Sequence, residues 1–134
     1  MHPLFPRADE LSREVIGAAI EVHRTIGPGL LESVYEKCLI RELELRKLIS
    51  AKQQDVSIEY KGVTFVEALK FDVLVERCLL VEVKAVQEVH PVHKAQVISY
   101  LKLLDIPIGL LINFHELRVI DGISRLILPG SNQN

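Results

Sequence analysis

Two carboxylates and an amine stand inside apolar runs of this chain. Asp72 lies within the run Phe71–Val75, and Glu82 and Lys84 lie within the run Leu79–Val86. Charges inside a β-branched run are costly unless they are paired, bound to a metal or used in chemistry. Carboxylate oxygens suit Mg²⁺ or Mn²⁺, and an amine beside them suits a metal-bound water. These three groups are therefore the ones that metal-assisted hydrolysis of a phosphodiester needs.

Convergence of these groups depends on the register of one hairpin. Side chains alternate between the faces of a strand, so Glu82 and Lys84 share a face. Asp72 joins them if it pairs directly with Glu82, which requires either the three-residue loop Glu76-Arg77-Cys78 or a bulge, whereas a two-residue loop would separate them. In that register we predict Asp72 and Glu82 as metal ligands, the Val83 carbonyl as a third ligand, and Lys84 as the group that orients or deprotonates the attacking water.

The alternative is an ion pair of Lys84 with Asp72 or with Glu82, which explains two of the charges and leaves the third carboxylate unexplained. Helices supply weaker candidates. Gln96 and Tyr100 are four residues apart on one helical face, where an amide and a phenol would hold a phosphate or the attacking water, although solvent-facing polar residues are the commoner outcome. Glu32 falls in the first turn of an earlier helix, a position that the helix dipole alone favours for an acid.

The elements that must position these side chains follow an α/β pattern. Apolar spacing predicts helices over Asp9–Ile26 and Leu30–Lys47, with Asp9 or Ser12 capping the first, and Gly27-Pro28-Gly29 joins them into a helical hairpin. A third helix is predicted from Pro91 to Asp105. Alternating or continuous apolar runs predict the strands Val56–Tyr60, Val63–Lys70, Phe71–Val75, Leu79–Val86, Ile108–Phe114, Leu117–Asp121 and Ser124–Leu128.

This order predicts a single α/β domain over residues 9–128, with an N-terminal tail over 1–8 and a polar tail over 129–134. A length of 134 residues suits one core. No apolar run reaches the roughly 20 residues of a membrane span, and no signal peptide or paired-cysteine motif is evident, so we expect a cytoplasmic protein.

A net charge of −2 offers no overall basic field for nucleic acid. One stretch could supply a local basic rim, although a solvated helix face is the favoured interpretation. Its basic residues are Lys37, Arg41, Arg46, Lys47 and Lys52.

Three motifs together resemble a known family. Gly29-Leu30-Leu31-Glu32-Ser33-Val34-Tyr35 matches a GxxExxY signature, Asp72 with Glu82-Val83-Lys84 matches a D…ExK core, and Gln96-Val97-Ile98-Ser99-Tyr100 matches a QxxxY element. In that order the motifs resemble the GxxExxY proteins, small bacterial and archaeal members of the PD-(D/E)xK nuclease superfamily. QxxxY is typical of its RecB-like branch. The resemblance extends over almost the whole chain.

The resemblance implies a restriction-endonuclease-like core, a mixed central sheet flanked by the N-terminal helical hairpin and one further helix. It also implies a metal-dependent nuclease acting on nucleic acid, with DNA favoured, and a homodimer would enlarge the footprint and help to position a duplex. One departure is visible, because family members often carry Arg-Ala-Asp where this chain has Lys70-Phe71-Asp72, and lysine lacks the bidentate fork for phosphate. The implied site has three carboxylates around a divalent metal (Glu32, Asp72 and Glu82), a catalytic amine (Lys84) and two supporting residues (Gln96 and Tyr100).

Two rival functions remain at this point. A nuclease-fold module that binds nucleic acid or a protein partner, with weak or no turnover, is favoured by the small size and the sparse basic surface. A small-molecule enzyme ranks last, because the chain has no glycine-rich phosphate loop, nucleophile elbow or HExxH motif.

Overall fold

The chain forms two helices, a three-stranded meander, a third helix and two further strands, in that order. A computed structural model describes all 134 residues. No helix in it is both long and apolar enough to cross a lipid bilayer. The elements are α1 Phe5–Ile26, α2 Glu32–Leu45, β1 Ser50–Tyr60, β2 Val63–Val75, β3 Leu79–Lys84, α3 Pro91–Leu104, β4 Ile108–Asn113, a 3-10 turn Val119–Gly122 and β5 Ile123–Ile127.

The five strands form one sheet in the order β1-β2-β3-β4-β5. Neighbours are antiparallel except β3 and β4, which are parallel and are joined by α3 as a crossover helix. The predicted fold class, restriction-endonuclease-like α/β with a mixed sheet, an N-terminal helical pair and one further helix, is confirmed.

Hydrophobic cores cover both faces of the sheet. The larger core lies between the sheet and the pair α1 and α2, and it contains Val81 and Val83 of β3. The smaller core lies under α3 and contains Leu80. Because side chains alternate along a strand, Glu82 and Lys84 lie on the same face of β3 as Leu80. Glu82 and Lys84 therefore project from the α3 side of the sheet.

The first hairpin is longer than predicted. β2 is one continuous strand where two were predicted, and β1 begins at Ser50 rather than near Val56. A turn at Lys61-Gly62 separates the predicted strands Val56–Tyr60 and Val63–Lys70, and φ is 47° at Lys61 and 87° at Gly62. We call its outer part, residues 55–69, the hairpin arm. Most of its residues are exposed.

The beginning of α1 corrects one prediction. The helix begins at Phe5 with Leu4 as its N-cap, so the predicted caps Asp9 and Ser12 are wrong and residues 5–8 are helical. Pro6 lies in the first turn, where its fixed φ suits a helix and its missing N–H costs nothing.

Two predictions for the C-terminal third of the chain differ from the structure. Leu117–Asp121 is not a strand, because the chain turns there into the 3-10 segment. Gly122 packs so closely on Asn113 that a Cβ would lie 2.3 Å from the Asn113 carbonyl oxygen. In the predicted polar tail Ser131 is buried, and its hydroxyl donates to the Pro107 carbonyl at 3.3 Å.

Candidate functional site

The hairpin register brings the two central carboxylates opposite each other. β2 and β3 pair across a three-residue loop, and the pair farthest from that loop is Val73 opposite Val81. One further step in the same register places Asp72 opposite Glu82. The predicted three-residue loop and its register are therefore confirmed for the pairs Val73–Val81 to Val75–Leu79, and the ladder ends one residue before Asp72.

Asp72 also lies at an irregularity on the other side of β2. Ala51 of β1 stands opposite Leu74, but Gln53 stands opposite Lys70, so β2 has extra residues around Asp72. Bulges bend a strand and redirect a side chain, and they are common beside active sites. Asp72 is thus released from regular pairing with both neighbouring strands.

Backbone amides orient both carboxylates. The Val83 N–H donates to Asp72 Oδ2 at 2.7 Å, and the Asp72 N–H donates to Glu82 Oε1 at 3.4 Å. Glu82 is only 8% exposed. Burial, and then the charge of Asp72, raise the pKa of Glu82 to about 8. Two carboxylates held this closely favour either a proton or a cation between them.

Lys84 pairs with a third acid rather than with these two. Its Nζ lies 3.9 Å from Glu32 Oε1, and neither Asp72 nor Glu82 forms an ion pair. Burial raises the pKa of Glu32, the Lys84 charge opposes that rise, and the Asp72 charge adds to it. Glu32 therefore reaches the site through Lys84 and lies within the electrostatic range of Asp72.

Tyr35 explains how Glu32 is positioned. Its side chain is fully buried, and its hydroxyl donates to the Gly27 carbonyl at 2.6 Å and accepts from the Leu30 N–H at 3.0 Å. Its ring stacks on Phe114 with a centroid distance of 4.6 Å. These contacts tie the α1–α2 turn to the core just before Glu32 begins α2. The GxxExxY motif includes Tyr35, but the sequence did not reveal this anchoring.

The α3 candidates lie on one helical face, as predicted. The Gln96 amide donates to the Tyr100 hydroxyl at 3.3 Å, and no hydrogen bond joins either side chain to the carboxylates. The first turn of α3 has the clearer link to the site. His93 lowers the pKa of Glu32 electrostatically, and His93 Nδ1 accepts from the His90 N–H at 3.3 Å.

Asn113 is a supporting residue that the sequence did not single out. It stands opposite Lys84 in the parallel ladder and is 2% exposed. Its amide donates to the Val86 carbonyl at 2.8 Å, and its side-chain oxygen accepts from the N–H groups of Val86 and His115 at 3.1 and 3.2 Å. These bonds hold the chain that leaves β3 directly after Lys84. A single asparagine ending an apolar strand was the only sequence signal.

The donor set fits a hard divalent cation with few protein ligands. No three His, Cys, Asp or Glu side chains are grouped as a ready metal cluster. Mg²⁺ commonly takes one or two carboxylates and keeps several waters. Asp72 and Glu82 match that requirement, and a cation would offset both the burial of the Glu82 charge and its repulsion by Asp72, which raise the pKa of Glu82. The Val83 carbonyl points to the same side of β3 as its N–H, which bonds Asp72, so it is available as a third oxygen.

The predicted basic rim is largely neutralised. Arg41, Arg46 and Lys52 each form an ion pair with a glutamate, and only Lys37 and Lys47 of that stretch do not. This agrees with the favoured interpretation of a solvated face.

Comparison with known families gives one match. A family model described as the PD-(D/E)XK nuclease superfamily matches residues 9–126. Searches of curated proteins and of solved structures give no match.

Proposed function

We propose that the chain is a metal-dependent nuclease, and the premise is its family: the chain belongs to the PD-(D/E)XK nuclease superfamily. That membership supports a nuclease-type function, and members of the superfamily generally use divalent metal ions. Within it we assign the chain to the GxxExxY proteins, because Gly29, Glu32 and Tyr35 have that spacing and Tyr35 anchors the turn before Glu32. The domain that we assign to this function covers residues 9–128.

The opposition of Asp72 and Glu82 carries the proposal. Both carboxylates lie at the open end of the β2–β3 ladder, and Lys84 projects from the same face of β3. A bound Mg²⁺ or Mn²⁺ would supply a water of lowered pKa and positive charge for the scissile phosphate. In this proposal Asp72, Glu82 and the Val83 carbonyl hold the ion, and Lys84 orients the attacking water and faces the developing negative charge.

Other predicted site residues have supporting roles in this proposal. Glu32 holds the Lys84 ammonium in place through their ion pair, and the ligand role that the family resemblance implies is the alternative. Gln96 and Tyr100 present a hydrogen-bonded polar pair to substrate phosphate. The substrate that we propose is DNA, within the nucleic acids that the superfamily implies, in the cytoplasm. A homodimer, which would enlarge the footprint on a duplex, belongs to the same proposal.

A binding module of the same fold is the second candidate. The overall charge of −2, the paired cations of the basic stretch and the lack of a ready three-ligand cluster favour it. Such a module would bind nucleic acid or a protein partner without efficient hydrolysis.

Cleavage assays with labelled single- and double-stranded DNA and RNA, titrated with Mg²⁺ or Mn²⁺, separate the two candidates. We expect metal-dependent cleavage that is lost in Asp72→Ala and Lys84→Ala. Glu67→Gln and Lys102→Ala alter exposed charges away from the site and serve as controls. Cleavage that both site variants retain in full would refute the nuclease, and binding without metal-dependent cleavage would favour the module.

A further inference from the structure

The free edge of the sheet next to the hairpin arm is uncovered. β1 is an edge strand of 11 residues, and β2 is its only neighbour. Tyr60 pairs with Val63 across a two-residue turn, so their backbone groups bond each other. By alternation, the N–H and C=O groups of Ser57 and Glu59 point away from β2. An edge of this kind is a template for another strand.

An apolar strip crosses the hairpin arm and reaches this edge. Ile58 pairs with Phe65 and Tyr60 pairs with Val63, all on the α3 side of the sheet. Tyr60 is 64% exposed, Val63 61% and Phe65 42%. Exposed apolar side chains that are contiguous, rather than scattered, indicate an interaction surface.

The charge balance favours a protein over a nucleic acid as the occupant of this surface. A nucleic-acid surface depends on an excess of lysine and arginine. Between Ser50 and Phe71 the positive and negative side chains are equal in number: Lys52, Lys61 and Lys70 against Asp55, Glu59 and Glu67.

We propose that this occupant is β1 of a second copy of the chain, paired antiparallel about a two-fold axis at Ile58. Ile58 then faces Ile58 of the second copy, and Val56 faces Tyr60. On the opposite face Asp55 stands next to Lys61, an opposite-charge pair. The apolar strip of one chain continues directly into that of the other.

Other symmetric registers are less favourable. A two-fold axis at Ser57 places Asp55 opposite Glu59, and an axis at Asp55 or at Glu59 places each of these acids opposite itself. Like charges directly opposite are destabilising. An axis at Val56 avoids that repulsion, but it places Ile58 opposite the Gln54 side-chain amide instead of an apolar side chain. The axis at Ile58 is therefore the one that the sequence of β1 selects.

The pairing has a geometric consequence for the candidate site. The two-fold axis is perpendicular to the sheet, so both sites lie on the same face of one continuous sheet. Asp72 lies beside Lys52 of β1, and Lys52 is six residues from the axis at Ile58. The two sites are therefore separated by about twelve residues along the strand direction. At about 3.4 Å per residue the two sites are about 40 Å apart along the strand direction.

Sedimentation velocity over a concentration series tests the pairing. We expect a reversible species of twice the chain mass. Ser57→Pro removes an N–H that faces the open edge and leaves the β1–β2 ladder intact, and Ile58→Lys places a charge at the axis. Each is expected to weaken dimerisation by roughly tenfold or more. Val66→Lys, at a 67% exposed position on the other face of the hairpin arm, is the matched control. Circular dichroism checks that each variant folds.

Disulfide cross-linking tests the register. Ile58 directs its backbone groups toward β2, so across the new junction it forms a non-hydrogen-bonded pair with Cα atoms about 4.5 Å apart, within disulfide range. Ile58→Cys is expected to form a covalent dimer under mild oxidation, whereas Val66→Cys and the unaltered chain, with Cys38 and Cys78, are not.

A chain that is monomeric at about millimolar concentration would overturn the proposal. So would a dimer that Ser57→Pro and Ile58→Lys leave intact, or one that Val66→Lys weakens equally. Cross-linking of Val66→Cys as fast as Ile58→Cys would refute the register. None of these measurements uses cleavage, so failure of the proposed nuclease activity leaves the pairing standing.

Discussion

The two halves of β2 contain similar apolar residues in opposite environments. The inner half, Phe71–Val75, has a strand on each side and a core on each face, and Val73 is fully buried. The outer half, within the hairpin arm, has β1 as its only neighbour, and Val66 is 67% exposed. The same strand thus builds a rigid site where it is covered and presents an open surface where it is not.

The comparison shows why the charges of the inner half are informative. Water screens a carboxylate on the hairpin arm. In the inner half, Asp72 lies close to the buried Glu82, and little water screens the two charges from each other. Burial, together with the repulsion from Asp72, therefore raises the pKa of Glu82 to about 8.

The largest expected effect contrasts two acids on β2. Asp72→Asn removes a proposed metal ligand and should lower single-turnover DNA cleavage at saturating Mg²⁺ by about a thousandfold. Glu67→Gln makes the same chemical change on the hairpin arm and should leave the rate unchanged. Equal rates for the two variants would remove the functional distinction between the halves.

The second prediction concerns how the free energy of unfolding depends on pH through Glu82. The folded pKa of Glu82 is raised from 4.5 to about 8, so its contribution to stability is full below pH 4.5 and is lost as the pH rises through 8. In EDTA, Glu82→Gln should therefore be more stable than the unaltered chain at pH 9, by about 2–4 kcal/mol in urea denaturation, and this gain should vanish near pH 4.

Mg²⁺ should reduce that difference, because a cation between Asp72 and Glu82 offsets the same repulsion. Glu59→Gln on the exposed edge is the control and should show no such gain. Parallel pH profiles for the unaltered chain and Glu82→Gln would contradict the coupling of the two carboxylates.

A packing contrast tests the physical basis of the comparison. Val73→Ala leaves a cavity in the larger core and should cost about 2 kcal/mol of unfolding free energy. Val66→Ala should change it by less than about 0.5 kcal/mol. Similar losses in chemical denaturation would mean that the hairpin arm is as covered as the inner half.

The smallest effect concerns the partner of Lys84. If Glu32 acts through the ion pair, Glu32→Gln should lower the cleavage rate about tenfold while Mg²⁺ affinity changes little. Isothermal titration with Mg²⁺, beside the rate, checks this split. A large loss of affinity would instead assign Glu32 to the metal, as the family resemblance implies.

Local rules predicted a good part of the fold. Strand alternation and a three-residue loop were enough to place Asp72 opposite Glu82, because both depend on neighbouring residues. The helical hairpin and α3 followed from apolar spacing. The beginning of α1 was missed because Pro6 was not taken as a first-turn residue, although its chemistry permits that position.

Tertiary contacts account for what was missed at the site. The anchoring of Tyr35 by Gly27 and Leu30, the hold of Asn113 on Val86, and the extra β2 residues at Asp72 all depend on elements that meet only in the fold. No short-range pattern encodes such contacts.

The sequence by itself determined most of the order of the elements and the superfamily, and it named the one hairpin register on which the site depends, because periodicity, loop length and motif order are properties of the linear chain. The tertiary structure alone decided that Lys84 meets Glu32, that Glu82 is buried beside Asp72, and that the hairpin arm stays uncovered. These are matters of burial and proximity between distant segments, and only packing sets them.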